Sequence, residues 1–116
     1  MSVDTDYVLG THDAEISRLH LQHGIWQTLV HDCWARAGIM PGQHVIDIGC
    51  GPGFASVDLA EVVGPEGRVT GIERSERFIA HAEALSASRG LNNVSFQHAD
   101  VMLDALTVEG ADAIWC

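Results

Sequence analysis

An open α/β fold with a mainly parallel sheet is predicted by three observations. Short apolar runs rich in Val and Ile alternate with segments whose apolar residues recur every three or four positions, the pattern of strands joined by crossover helices. One run, Val45-Ile46-Asp47-Ile48, leads directly into Gly49-Cys50-Gly51-Pro52-Gly53, and an apolar-periodic segment from Phe54 to Val63 follows at once. Strand, glycine turn and helix in that order is the setting in which a glycine pattern signals a ligand site. The length of 116 residues and a hydrophobic fraction of 47% suit one folded domain with a real core.

Residues 1–10 carry no periodicity, although Tyr7-Val8-Leu9 is apolar enough to dock on a surface. A helix is expected over residues 11–23, with Ile16, Leu19 and His23 on one face and Asp13 and Glu15 near its positive end. Gly24 is expected to separate it from a second helix. There Trp26, Leu29, Val30, Cys33, Trp34 and Ala37 form a stripe that stops at Gly38 and Pro41-Gly42. Trp26 and Trp34 are therefore expected in the core.

The strand at residues 44–48 comes next, then a helix over 54–63 closed by Gly64-Pro65. A second strand spans 68–73. Ser75 is a natural N-cap for a helix that runs to Ser88 or Arg89 and ends at Gly90, with Phe78, Ile79, Ala82 and Leu85 inward. Asn92-Asn93 makes a turn into a third strand at 94–98, and a loop or short helix leads to a fourth strand over 111–116. That strand would leave a bare hydrophobic sheet edge, which natural proteins avoid. The chain is accordingly expected to be a fragment of a larger fold, and the edge offers a contact for a homodimer.

Composition narrows the function. Sixteen acids against six bases give a formal charge of −10, and the bases stand singly. A nucleic acid or an anionic membrane is thus an unexpected partner. No apolar run approaches the roughly 20 residues of a membrane span, and the acidic N-terminus lacks the apolar core of a secretory leader. Cys33, Cys50 and Cys116 contain no Cys-x-x-Cys pair, which suits reduced thiols in the cytoplasm and argues against a structural zinc site. No metal is expected: His20 and His23 are spaced as a pair, but no third ligand matches them.

The glycine turn alone fits several nucleotides. Its spacing is Gly49-x-Gly51-x-Gly53, and Phe54 occupies the position at which a dinucleotide fingerprint needs its third glycine. Asp47, at the carboxyl end of the first strand, would repel a pyrophosphate and favour a cationic ligand. Glu73 ends the second strand, where an acid can accept ribose hydroxyls, and Asp100 ends the third.

Together these segments resemble a known family. Val45-Ile46-Asp47-Ile48-Gly49-Cys50-Gly51-Pro52-Gly53 is similar to the signature motif of class I S-adenosylmethionine-dependent methyltransferases. Val69-Thr70-Gly71-Ile72-Glu73-Arg74-Ser75 resembles their second motif and His98-Ala99-Asp100-Val101 their third. The likeness covers residues 41–116 and is nearest the small-molecule branch that includes quinone-biosynthesis-like enzymes. It implies a Rossmann-like three-layer fold, here the first four strands plus two N-terminal helices. Residues 1–40 would be a helical lid segment and 41–116 the cofactor-binding half of a truncated domain.

By that resemblance S-adenosylmethionine is the cofactor, S-adenosylhomocysteine the product and a small molecule the methyl acceptor. Gly49, Cys50, Gly51 and Gly53 would line the methionine part and ribose, with Asp47 near the ammonium end. Glu73 would hold the ribose hydroxyls and Arg74 would flank the adenine. Asp100 would accept from the adenine amino group, beside Val101 and Met102. Tyr7 and Gln22, in the lid, would reach the cofactor carboxylate. Catalytic residues stay unassigned, with His12, His20, His23 and Tyr7 as candidate bases. Cys50 reads as a small packing residue rather than a nucleophile. Trp115 fits two places equally, the sheet core or the substrate side. Two rival functions stand: a non-catalytic cofactor-binding module paired with another chain, and an NAD-type oxidoreductase.

Overall fold

A computed structural model describes residues 12–100 and 110–116 of the chain. The elements are α1 (His12–Arg36), β1 (His44–Ile48), α2 (Phe54–Val63), β2 (Arg68–Glu73), α3 (Glu76–Ser88), β3 (Val94–His98) and β4 (Ala113–Trp115). Four strands form one sheet in the order β3-β2-β1-β4, and every neighbouring pair is parallel. The chain steps outward from β1 to β3, then crosses back to place β4 on the far side of β1. Such a reversal opens a crevice at the carboxyl ends of the strands.

In β1 and β2, β-branched residues alternate between two covered faces, whereas Ile114 of β4 is 65% exposed. Register aligns Val45 with Val69 and Ala113, and Asp47 with Gly71 and Trp115. Val45, Val69, Leu59, Val63, Trp34 and Ile39 build the main core between the sheet and helices α1 and α2. Ile46 and Ile72 form a smaller cluster on the opposite face. Helix ends are closed by local chemistry. Ser75 Oγ accepts from the Phe78 amide at 3.3 Å. Asn93 Nδ2 donates to the carbonyls of Ala60 and Gly64, each at 2.8 Å, satisfying the end of α2. Asp112 fixes β4 beside β1: its carboxylate accepts the His44 amide and its own amide donates to His44 O, both at 2.8 Å.

One expectation is corrected. The N-terminal region holds a single helix of 25 residues in place of two. Gly24 lies within it with open space around its Cα. A lone glycine costs a helix interior only about 1 kcal/mol relative to alanine, too little to break a segment anchored at both ends. A second correction follows from that continuity. Trp34 is buried at 1% exposure, but Trp26 is 53% exposed, as is Leu29. The apolar stripe is wider than the face that α1 buries. No helix among the described residues is long and apolar enough to cross a membrane.

Candidate cofactor site

The glycine turn leaves β1 at the carboxyl rim of the sheet. Gly49, Gly51 and Gly53 all take positive φ, at 66°, 58° and 96°. Their neighbourhoods differ. A Cβ on Gly53 would lie 2.6 Å from Ala82 Cβ, so this glycine lets α3 approach the turn. At Gly49 and Gly51 no protein atom lies within 4 Å of where a Cβ would stand. These two form a cradle that a side chain would fill and a ligand can enter.

Glu73 locks the turn from the next strand. Its Oε1 accepts the Gly51 amide at 2.9 Å. Its Oε2 accepts the amides of Arg74 and Ser75, each at 3.0 Å. A carboxylate has about four lone-pair positions, so the remaining capacity sits on Oε1.

Two cavities meet at this point. The larger, about 480 Å³, lies between α1 and the turn. Glu15, Leu19, Gln22, His23 and Trp26 supply its α1 wall; Gly49, Cys50, Gly51, Pro52, Phe54 and Ala55 supply the opposite one, with Glu73 and Phe78. The smaller, about 150 Å³, is lined by Ile48, Gly49, Ile72, Glu73, Arg74, Ala99 and Asp100. Gly49 and Glu73 belong to both. The structure thus brings together Gly49, Cys50, Gly51, Glu73, Arg74, Asp100 and Gln22. Tyr7, Val101 and Met102 lie outside the described residues.

Asp47 takes another position. It is 3% exposed and lines neither cavity; its Oδ2 accepts the Ser56 hydroxyl at 2.7 Å. Burial, helped by the Glu73 charge and opposed by the Ser56 hydrogen bond, raises its carboxyl from 3.8 to about 6. Burial pushes the Cys50 thiol far above its ordinary range, and the charges of Asp47 and Glu73 add to this. A thiol held protonated is no nucleophile. Trp115 also resolves: half-buried against the main core cluster, it meets Trp34 edge-on, centroids 5.6 Å apart.

Two features escaped the sequence reading. Phe54, the first residue of α2, stacks on His20 of α1 at 4.7 Å and on His23 at 6.0 Å, and meets His81 of α3 edge-on at 5.4 Å. Asp58, one turn further along α2 and 3% exposed, gathers four donors. Oδ2 accepts from His23 Nε2 at 2.7 Å, Gln27 Nε2 at 2.9 Å and His31 Nε2 at 3.2 Å. Oδ1 accepts from Arg89 Nη1 at 3.1 Å. Burial alone would raise the Asp58 carboxyl, but these donors outweigh it and hold the group below 3.8. Asp58 is one of two acids in the apolar run of α2, the other being the exposed Glu61, and His23, Gln27 and His31 recur every fourth position on α1, but nothing in the sequence pairs the two patterns. Among the described residues no group of three side chains is arranged to hold a metal ion.

Known proteins resemble this chain. A family model described as a methyltransferase domain matches residues 39–116. A demethylmenaquinone methyltransferase from Geobacillus stearothermophilus is 37% identical over 71 residues, which is 61% of this chain and 30% of that protein. The 23S rRNA (uracil(1939)-C(5))-methyltransferase RlmD of Acinetobacter baylyi is 41% identical over 66 residues, 57% of this chain and 14% of that protein. Among solved structures, coclaurine N-methyltransferase bound to N-methylheliamine and SAH superimposes with a TM-score of 0.69 at 31% identity, covering 75% of this chain and 25% of that one. The chain spans less than a third of each of these proteins. The matched model covers more than half of the chain, and the chain belongs to the family of class I S-adenosylmethionine-dependent methyltransferases.

Proposed function

We propose that the chain supplies the cofactor half of a methyltransferase that acts on a small-molecule acceptor, with residues 1–40 as a helical lid segment over residues 41–116. Bound S-adenosylmethionine would supply a methyl group on a sulfonium, open to in-line displacement by the acceptor. The observation that carries this reading is the Glu73 carboxylate, locked to the glycine turn and standing as the common wall of two adjoining cavities.

Gly49 and Gly51 would admit the methionine and ribose parts to the backbone, beside Cys50, while Gly53 lets the turn pack on α3. Glu73 Oε1 would accept a ribose hydroxyl. Arg74 and Asp100, in the smaller cavity, would flank the adenine, with Val101 and Met102 beyond them. Gln22 and Tyr7 would meet the carboxylate of the methionine part. Asp47 would act from beneath the turn, its negative charge favouring the cationic end. Trp26, Phe54 and Phe78 would keep water from the larger cavity, which assists a reaction that discharges a cation. His23 is the imidazole lining that cavity among the described residues. Its Nε2 is committed to Asp58, which leaves Nδ1 to take a proton from an acidic acceptor.

A small acceptor is supported by charge. Glu15 and Glu73 line the larger cavity, no Lys or Arg does so among the described residues, and the chain carries −10 overall. A phosphate backbone would be repelled. The likeness to RlmD supports a nucleic-acid acceptor as the second reading.

Calorimetric titration of the chain tests the proposal. S-adenosylhomocysteine is expected to bind with a Kd on the order of micromolar, and NAD not at all. Absence of S-adenosylhomocysteine binding overturns the cofactor reading. Binding of a short uridine-containing RNA that weakens steeply with salt favours the second reading.

A further inference from the structure

We propose that Asp58 is a positioning residue for the cofactor, acting as a buried clasp that holds the cavity-forming half of α1 over the glycine turn. The inference rests on the cofactor reading above and adds to it a residue that never lines either cavity.

The two parts of α1 are anchored differently. Its last two turns bury Trp34 in the main core, with Val30 packed alongside. Residues 12–29 turn Leu21, Ile25 and Leu29 outward, so apolar burial holds that stretch weakly. What fastens it is polar and aromatic. His23, Gln27 and His31 lie four residues apart, on one face of the helix, and all donate to one oxygen of Asp58. His20 and His23 rest on the ring of Phe54.

The carboxylate is itself fixed. Arg89 Nη1 bridges Asp58 at 3.1 Å and Glu61 at 3.0 Å, tying α3 to the same point. A buried carboxylate with several good donors is expensive to strip of any of them, so the clasp is closed as a unit. His23 joins it to the cavity: Nε2 donates to Asp58, and the residue is part of the cavity wall together with Gln22 and Trp26. A protein whose α1 spends part of its time undocked binds in proportion to the docked fraction.

The test uses S-adenosylhomocysteine as probe and the chain as it exists. The double variant Gln27→Leu/His31→Leu removes two clasp donors without altering a residue that lines the larger cavity. It is expected to weaken binding about fivefold or more and to speed amide exchange in residues 12–29, leaving β1 and β2 protected. His31→Gln, which keeps an N–H donor, is expected to retain the wild-type affinity. In a Gln22→Ala background the loss caused by the double variant should shrink, because the clasp acts through the α1 wall. A purely structural role predicts instead that the two losses add, and additivity overturns the proposal. So does wild-type affinity in the double variant while exchange in residues 12–29 rises. If the wild-type chain binds no S-adenosylhomocysteine, the cofactor reading falls and this proposal with it; wild-type binding that the double variant keeps removes this proposal alone.

Discussion

The Glu73 carboxylate accepts the amide of Gly51 at 2.9 Å across the gap between β2 and the turn that follows β1. An acid 22 positions away in sequence thereby sets the shape of the cradle as well as its charge. Replacing Glu73 by Ala should do two things. Folding stability should fall by about 1–3 kcal/mol, as three backbone amides lose a charged acceptor. Affinity for S-adenosylhomocysteine should fall at least about tenfold, corresponding to about 1.4 kcal/mol. Urea titration and calorimetry read the two effects separately, and unchanged affinity would reject Glu73 as a cofactor residue.

Gly51 and Gly53 should respond differently to the same change. Gly53→Ala brings a Cβ to 2.6 Å from Ala82, and overpacking plus positive φ should cost about 2–4 kcal/mol in thermal or urea unfolding. Gly51→Ala meets no protein atom and should cost only the backbone strain, about 1–2 kcal/mol. Its larger effect should be on ligand affinity, since the new methyl group occupies the cradle.

Asp47 should impose a pH dependence of unusual sign for a carboxylate. Its folded value, about 6, lies above the unfolded 3.8, so the folded state binds the proton more tightly. Stability from this group is present below about pH 4 and declines as pH rises through 6. The gap corresponds to about 3 kcal/mol. Asp47→Asn keeps an acceptor for Ser56 and should therefore be more stable than wild type at pH 7.5, with the difference vanishing near pH 4. Urea melts at both pH values decide it; an Asn variant that is less stable at pH 7.5 would contradict the burial argument.

Thiol labelling at pH 8 should modify two of the three cysteines. Cys33 and Cys116 are exposed, and Cys50 is buried with its thiol held protonated. Mass spectrometry of the iodoacetamide-treated native chain should count two adducts, and a third only after unfolding.

Gly24→Ala should stabilise the chain by about 0.5–1 kcal/mol, because Gly24 sits in the middle of a continuous helix with space around it. A destabilised variant would indicate a break in α1 at that position.

Most of the fold was legible because its punctuation is local. Gly64-Pro65, Ser75 and Gly90 mark the ends of α2 and α3 by local conformational chemistry, and Asn92-Asn93 marks the turn into β3. The cradle and its strand-end acids were legible for the same reason. Gly24 misled because a breaker's cost is intrinsic, whereas its outcome depends on the docking of the whole helix to Asp58 and the core. Trp26 misled because a periodic stripe shows which residues share a face without showing how much of that face is covered. Asp58 was illegible because its value lies in donors on α1 and α3 that periodicity cannot pair with it. Where Asp47 sits was similarly hidden: the motif places it at the strand end, and only packing turns it under the cradle toward Ser56.

The wall that Gly49 and Glu73 share between the two cavities makes the site bipartite, with an arithmetic of its own. Half-ligands such as adenosine and free methionine would each fill one side and each lose their own translational freedom on binding. A single molecule that straddles the wall loses that freedom once, so its association constant should exceed the product of those of its halves multiplied by 1 M. Selectivity would then reside in the reach of the ligand across Glu73, and a compound truncated on either side should bind disproportionately poorly.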